Sequence, residues 1–315
     1  MIKIGVIGVG AMGKNHARIY NEIEDVELVG VSDVNEKVAK EVALKYNTNY
    51  FVDHVELLEK IDAVSIATPT TMHADIAITA AEHGVHMLVE KPISDSLSSA
   101  DRMIKAARKS GVKLMVGHIE RFNPAVLKLK KLIKNGELGE IITISAKRVG
   151  PYHPRIRDVG IIIDLAVHDI DVMSYIYGNK IEEVYAIAGN RFHTKEDYAS
   201  ILLRFEGNKS GMIETNWLTP KKIRTLTAVG SGGVAKVNYI DQSLEVMKSD
   251  NVELIDIKKK EPLRIEIEKF VSCVIENKKP SPSGEDGKLI LGVAIAAINS
   301  YMMGKPFKLK DVLAF

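Results

Sequence analysis

Three short runs in this 315-residue chain have the residue types and spacing to do chemistry. The first is Gly8-Val9-Gly10-Ala11-Met12-Gly13, which follows an apolar run and opens a helix-period segment. Such a loop suits a diphosphate. Gly8 permits a tight turn, Gly10 lets the backbone approach without a Cβ, and Gly13 lets the helix pack on the strand. The free N–H groups of Ala11, Met12 and their neighbours, with the positive helix end, then attract the phosphate charge. Asp33 stands 20 residues beyond Gly13, at the end of a second strand pattern. Its carboxylate can accept both hydroxyls of an adenosine ribose and repel a 2′-phosphate, and Val34 and Asn35 offer that phosphate no arginine. These features favour NAD over NADP. As an alternative role, Asp33 suits the N-cap of the next helix.

The second run is Glu90-Lys91-Pro92. A lysine at the C-terminal end of a parallel strand stands at the edge where such sheets bind ligands. Beside a cationic nicotinamide, in a partly dry cleft, its ammonium is disfavoured, so Lys91 suits hydrogen bonding to a reacting hydroxyl and relay of its proton. Pro92 fixes the backbone there, with a cis peptide as one option. The alternative is a Lys91–Glu90 or surface ion pair. In the third run, Asp164 and His168 are four residues apart and share one helix face, with Asp171 near it. A histidine with a carboxylate neighbour is a competent general base near neutral pH; an Asp cap and an ion-paired surface His would look the same.

These residues must be positioned by regular elements. Strand patterns at 2–7, 27–32, 49–52, 63–67, 86–89 and 113–116 alternate with helix patterns at 11–22, 35–46, 72–83 and 97–109. That rhythm predicts an α/β domain over 1–118, a doubly wound parallel sheet covered on both faces. Thr68 and Thr70 follow the fourth strand and should line the same cleft or cap the following helix; His73, in that helix's first turn, reads as structural. After residue 118 the rhythm changes. A helix at 124–134, a strand at 141–149, a helix at 163–177 and short alternating strands between 183 and 247 predict an α+β domain over 119–315. Its sheet is largely antiparallel with one open face, and two helices, 262–277 and 285–303, end the chain. Such a face needs a cover, so a homodimer or homotetramer through this sheet is expected.

Composition narrows the classes. An apolar content of 46% and a charged content of 27% fit an ordinary water-soluble globular chain. A formal net charge of +2 gives no reason to invoke nucleic acid or a membrane surface as partner. Cys273 is the single cysteine, so no disulfide framework exists, and it reads as a small core residue. No metal-ligand spacing stands out. The first residues read as strand rather than as a secretion leader, and a cytoplasmic, reducing compartment is expected.

The glycine loop, Glu90-Lys91-Pro92 and Asp164-x-x-x-His168-x-x-Asp171, in that order, resemble the Gfo/Idh/MocA oxidoreductase family over essentially the whole chain. The resemblance implies an N-terminal Rossmann domain and nicotinamide-dependent hydride transfer at a secondary alcohol of a sugar, cyclitol or sugar nucleotide. Carried over by motif, Lys91 and His168 are the catalytic pair, Asp164 is their substrate-side companion, and Glu90 and Lys91 border the cofactor. Ala166 stands where the family usually has glycine, adding a methyl group near the pocket. Two further segments, 120–124 and 148–157, resemble the branch acting on UDP-N-acetylhexosamines. In them Arg148, Arg155 and Arg157 are candidates for a diphosphate or carboxylate, Tyr152 for stacking on a sugar or base, and Arg121 for a substrate contact. Solvated loop arginines are the alternative.

The expected function is NAD-dependent oxidation of a sugar-ring hydroxyl, with C3 of UDP-N-acetylglucosamine or a close relative as the leading substrate. A free sugar or myo-inositol is the alternative within the class. From other classes come a catalytically silent NAD-binding regulator, which the presence of both Lys91 and His168 opposes, and an NAD-assisted glycosidase.

Overall fold

A computed structural model of the chain describes residues 1–152, 159–178, 180–249 and 251–314. It divides into two compact units: Met1–His118 with Leu263–Leu289, and Ile119–Pro262 with Ile290–Phe315.

In the first unit the strands are β1 (Ile2–Ile7), β2 (Val26–Ser32), β3 (Asn49–Phe51), β4 (Ala63–Ile66), β5 (His86–Glu90) and β6 (Leu114–Gly117). The helices between them are α1 (Ala11–Asn21), α2 (Glu36–Tyr46), α3 (His54–Leu58), α4 (His73–Glu82) and α5 (Leu97–Ser110). The strands pair in parallel in the order β3-β2-β1-β4-β5-β6, so the strand order reverses between β1 and β4. Helices on both faces explain why all four residues of β4 are buried instead of alternating. Local chemistry sets the helix limits: Ser96 accepts the Ser99 N–H at 3.1 Å to start α5, and Gly111, at φ 68°, ends it.

In the second unit α6 (Pro124–Lys134) precedes β7 (Ile141–Pro151), and a π-helical turn, Ile162–Ala166, runs into α7 (Val167–Tyr177). There follow β8 (Ile181–Gly189), β9 (Tyr198–Phe205), β10 (Lys209–Asn216), β11 (Leu218–Gly230), β12 (Gly233–Asn238), β13 (Ser243–Lys248) and β14 (Asn251–Ile255). Near the C-terminus β15 (Phe307–Lys308) pairs with β8, and α10 (Leu309–Leu313) follows. The nine-stranded sheet runs β14-β13-β12-β11-β7-β10-β9-β8-β15 and is antiparallel except at β7–β10. Strand β9 shows the two-sided pattern most clearly. Ala199, Ile201, Leu203 and Phe205 face the core, and the residues between them face outward.

The expectation of a continuous second domain over 119–315 needs correction. Helix α8 (Pro262–Ile275) and the start of α9 (Gly284–Met303) belong to the first unit. There the Val116 N–H donates to the Pro282 carbonyl at 3.2 Å, and Lys288 pairs with Asp101 at 2.7 Å. Helices α3 and α10 and strands β14 and β15 had no sequence forecast, so the two expected terminal helices are followed by a short strand and a further helix. Strand β14 is exposed along almost its whole length and so lacks the alternation that marks a half-buried strand.

Candidate active site

In the first unit the glycine turn joins β1 to α1. Gly8 sits at φ 83°, and a Cβ there would lie 2.8 Å from the Ala67 backbone. At Gly13 a Cβ would lie 1.8 Å from the Gly8 carbonyl oxygen, so helix and turn approach as only glycine allows. At Gly10, by contrast, a Cβ would meet nothing within 4 Å, and α1 begins there with no side-chain cap. The first-turn N–H groups therefore border an open cradle, the arrangement a pyrophosphate needs. Asp33 accepts the Val9 N–H at 2.9 Å through one oxygen and the Asn35 N–H at 2.9 Å through the other. This pins the carboxylate beside the glycine turn and leaves each oxygen a further lone pair for a ribose hydroxyl. The N-cap of α2 is Asn35, so the capping alternative for Asp33 does not hold. The Thr68 hydroxyl is buried without a hydrogen-bond partner among the described residues, and the methyl group of the same side chain lies against Gly8. Neither Thr68 nor Thr70 caps α4, whose N-cap is Met72. The open cradle, the pinned carboxylate and the orphaned hydroxyl together fit a dinucleotide.

Asp33→Ala is expected to weaken NAD binding about 10- to 100-fold, the loss of one or two hydrogen bonds to a charged acceptor. Relative use of NADP should rise. Calorimetric titration with both dinucleotides checks this, and an unchanged preference would assign the ribose to another residue.

Lys91 follows β5 at the same C-terminal sheet edge, and the Lys91–Pro92 bond is cis. Strands β1 and β5 flank β4, so the lysine stands about two strand spacings, ~10 Å, from the glycine turn. Glu90 accepts the Lys91 N–H at 3.2 Å and faces the buried His16 ring, Oε1 to Nε2, at 3.0 Å. Burial opposes the Glu90 charge, but the His16 bond and the Lys91 charge outweigh it and hold the carboxyl below its usual range. His73 is structural, as its position suggested. Its buried ring lies between the Pro92 and Thr68 carbonyl oxygens at 3.0 Å each, stapling the loops after β4 and β5 together. That burial pushes its pKa down despite the two carbonyls.

In the second unit Asp164 lies in the π-helical turn and His168 in the first turn of α7, both partly exposed. A π turn at this place departs from the expected regular helix, and such turns gather at functional sites. Its entry is fixed by the buried Glu196, whose Oε1 accepts the Ile162 N–H at 3.4 Å. A Cβ at Gly160 would lie 2.1 Å from the Glu196 carboxyl group.

The expected anion-binding arginines behave differently. Arg148 is 1% exposed and directs its guanidinium at Asp169, at 2.7 and 3.0 Å, and at Glu120, at 2.7 Å. Burial works against its charge, but Asp169 and Glu120 hold it protonated. Arg121 grips Asp171 at 2.6–2.9 Å, both buried. Arg148 and Arg121 are thus struts that fix α7 to β7 and to the turn Ile119–Phe122, and the diphosphate assignment for Arg148 and the substrate-contact assignment for Arg121 are corrected. Asp171 is the other half of the Arg121 strut. Arg155 and Arg157 lie outside the described residues. Tyr152 is 39% exposed and joins His193 and Trp217 in an aromatic cluster with ring centroids 5.2–5.5 Å apart.

Sequence reasoning missed Arg224, His193, Trp217, Glu196 and His16. Arg224, on β11, has Glu120 at 3.7 Å as its ion pair. Burial and the like charge of Arg148 push its pKa down. No local pattern marks these residues, because their partners are remote in sequence.

Residues 2–118 match a family model described as an oxidoreductase family with an NAD-binding Rossmann fold, and residues 126–236 match the GFO/IDH/MocA C-terminal domain. The chain is similar to UDP-N-acetylglucosamine 3-dehydrogenase from Acidithiobacillus ferrooxidans, at 29% identity over 93% of this chain and 95% of that protein. A solved structure of that enzyme gives a TM-score of 0.90 over 95% of this chain and 97% of that one. Similarity to myo-inositol 2-dehydrogenase from Thermotoga maritima is also 29%, over 99% of this chain and all (100%) of the relative. For scyllo-inositol 2-dehydrogenase (NAD(+)) from Bacillus subtilis it is 29% over 98% and 96%. With both of its parts matched and the cradle in place, the chain belongs to the Gfo/Idh/MocA family of oxidoreductases and carries that family's NAD-binding Rossmann domain.

Proposed function

We propose that the protein is an NAD-dependent dehydrogenase oxidising a secondary hydroxyl of a sugar nucleotide, with C3 of a UDP-N-acetylhexosamine as the leading substrate. One observation supports the chemistry most: Lys91 follows β5 on the sheet edge that carries the glycine cradle, and Glu90 joins it to the cradle helix. His168 takes the hydroxyl proton, Lys91 polarises the oxygen, and Asp164 accompanies them on the substrate side. NAD, when bound, supplies the hydride acceptor. The substrate loses a proton from oxygen and a hydride from carbon, leaving a ketone.

The nucleotide-sugar reading draws on the similarity to the Acidithiobacillus enzyme and on the Tyr152–His193–Trp217 cluster, a platform for a base or sugar. Arg224 takes over the anion-binding role first given to Arg148. A second reading, a free inositol or sugar as substrate, is favoured by the engagement of those two arginines and by the equal identity to inositol dehydrogenases. NADH formation, followed by absorbance over UDP-N-acetylhexosamines, their uronates, free hexoses and inositols, decides between them. Product from UDP-sugars alone supports the first reading and product from inositol the second. Silence in single-turnover amounts removes both.

The outer face of the nine-stranded sheet exposes Ile187, Leu202 and Met212 by 49–60%, a surface suited to a second copy of the chain. Light scattering is expected to report a dimer or tetramer; a monomer at working concentration would remove this assignment.

A further inference from the structure

A line of buried polar groups runs from α1 across the sheet to Lys91. The Tyr20 hydroxyl lies 2.8 Å from Ser65 Oγ, Ser65 Oγ 2.9 Å from His16 Nδ1, and His16 Nε2 3.0 Å from Glu90 Oε1. The second Glu90 oxygen accepts the Lys91 N–H at 3.2 Å. Tyr20, Ser65 and His16 are fully buried. Such a chain is costly to leave half-satisfied and rigid when complete.

Its proton order follows from one end. An ionised Glu90 can only accept, so Nε2 of His16 donates. In a neutral ring Nδ1 then accepts from Ser65, and Ser65 accepts from Tyr20. Every member is satisfied. The line ends blindly at Tyr20, which burial keeps protonated, so it offers no exit for a proton. Such geometry suits holding a group in place more than conducting charge. Space is reserved for the held group as well: a Cβ at Gly117, on the neighbouring β6, would lie 3.2 Å from Glu90 Cδ.

We propose that His16 is a positioning residue for the reaction, fixing the Glu90 carboxylate, which in turn fixes Lys91. This rests on the assignment of Lys91 to the chemistry. The charged or titratable groups acting on Glu90 are His16 from α1, Lys91 beside it and His73 from α4.

Four variants and one spectrum test it. His16→Leu is expected to lower kcat about 10- to 100-fold, the scale of an ångström-level misplacement. NAD affinity by calorimetry should stay within about twofold, since no cradle contact is lost. His16→Gln restores a donor toward Glu90 and should recover most of the rate. Gly117→Ala, which crowds Glu90 but alters no proton-bearing group, should reproduce the His16→Leu defect. Glu90→Gln, isosteric but without the ionised acceptor, weakens the hold on both His16 and the Lys91 N–H and should lower kcat with NAD affinity unchanged. In the unloaded protein, long-range proton–nitrogen spectra of the imidazoles should show His16 as the Nε2–H tautomer. An Nδ1–H tautomer overturns the proposal, as does a folded His16→Leu enzyme with the parent rate and pH profile. A harmless Gly117→Ala beside a damaged His16→Leu also overturns it, because it would reduce His16 to packing. Failure of the underlying assignment looks different: Lys91→Ala would stay active while the His16 tautomer remained as stated.

Discussion

His168→Ala and Lys91→Ala are each expected to lower kcat by about 10²- to 10⁴-fold, the usual worth of a positioned proton-transfer group. NAD affinity should hardly change, because neither residue belongs to the glycine turn. The pair therefore predicts a kinetic signature: kcat and kcat/KM fall together, as when an interaction special to the transition state is removed. Stability should hold as well, since His168 is only partly buried and the helix that bears it is fastened by other residues, Asp169 and Asp171. Steady-state kinetics with the substrate found in the panel, together with calorimetric NAD titration, tests this. A variant near the parent rate would remove that residue from the chemistry.

Arg148→Ala is expected to damage folding first. It leaves the buried carboxylates of Asp169 and Glu120 without the guanidinium between them, and breaking a buried pair from one side costs about 3–5 kcal/mol. The single tryptophan, Trp217, lies in the same unit and gives a local signal. Denaturant titration followed by its fluorescence should show an earlier transition than in the parent. Arg148→Lys should rescue only in part, because an ammonium cannot offer the two-pronged geometry. If Arg148 bound a diphosphate instead, stability would hold and the KM for the nucleotide sugar would rise.

This arginine shows where sequence reading stops. Its type and the loop after it suggested an anion, but its partners lie 21 and 28 residues away, and sequence displays a charge without displaying what neutralises it. The glycine turn was legible because its chemistry is carried by contiguous residues and by a strand and helix on either side. Asp33 was placed beside that turn by its position at the end of the second strand, and the cap role also considered for it belongs to Asn35. His16 gave no signal: a histidine on the buried face of a helix looks like any satisfied core polar group. Helix periodicity showed that α8 buries one face, but not which unit it buries it in.

That last point bears on how the protein is made. The first unit reaches from Met1 to His118 and then waits for Leu263–Leu289. Its β6 carries an antiparallel bridge from Met115 to Ser283, and Arg108 on α5 pairs with Glu285 at 2.6 Å. Domains tend to fold as they leave the ribosome, in order from the N-terminus. Here the cofactor unit emerges first but is finished second. Until residue 289 is released, the side chains of Leu114 and Val116 on β6 lack the start of α9 that packs on them in the finished unit.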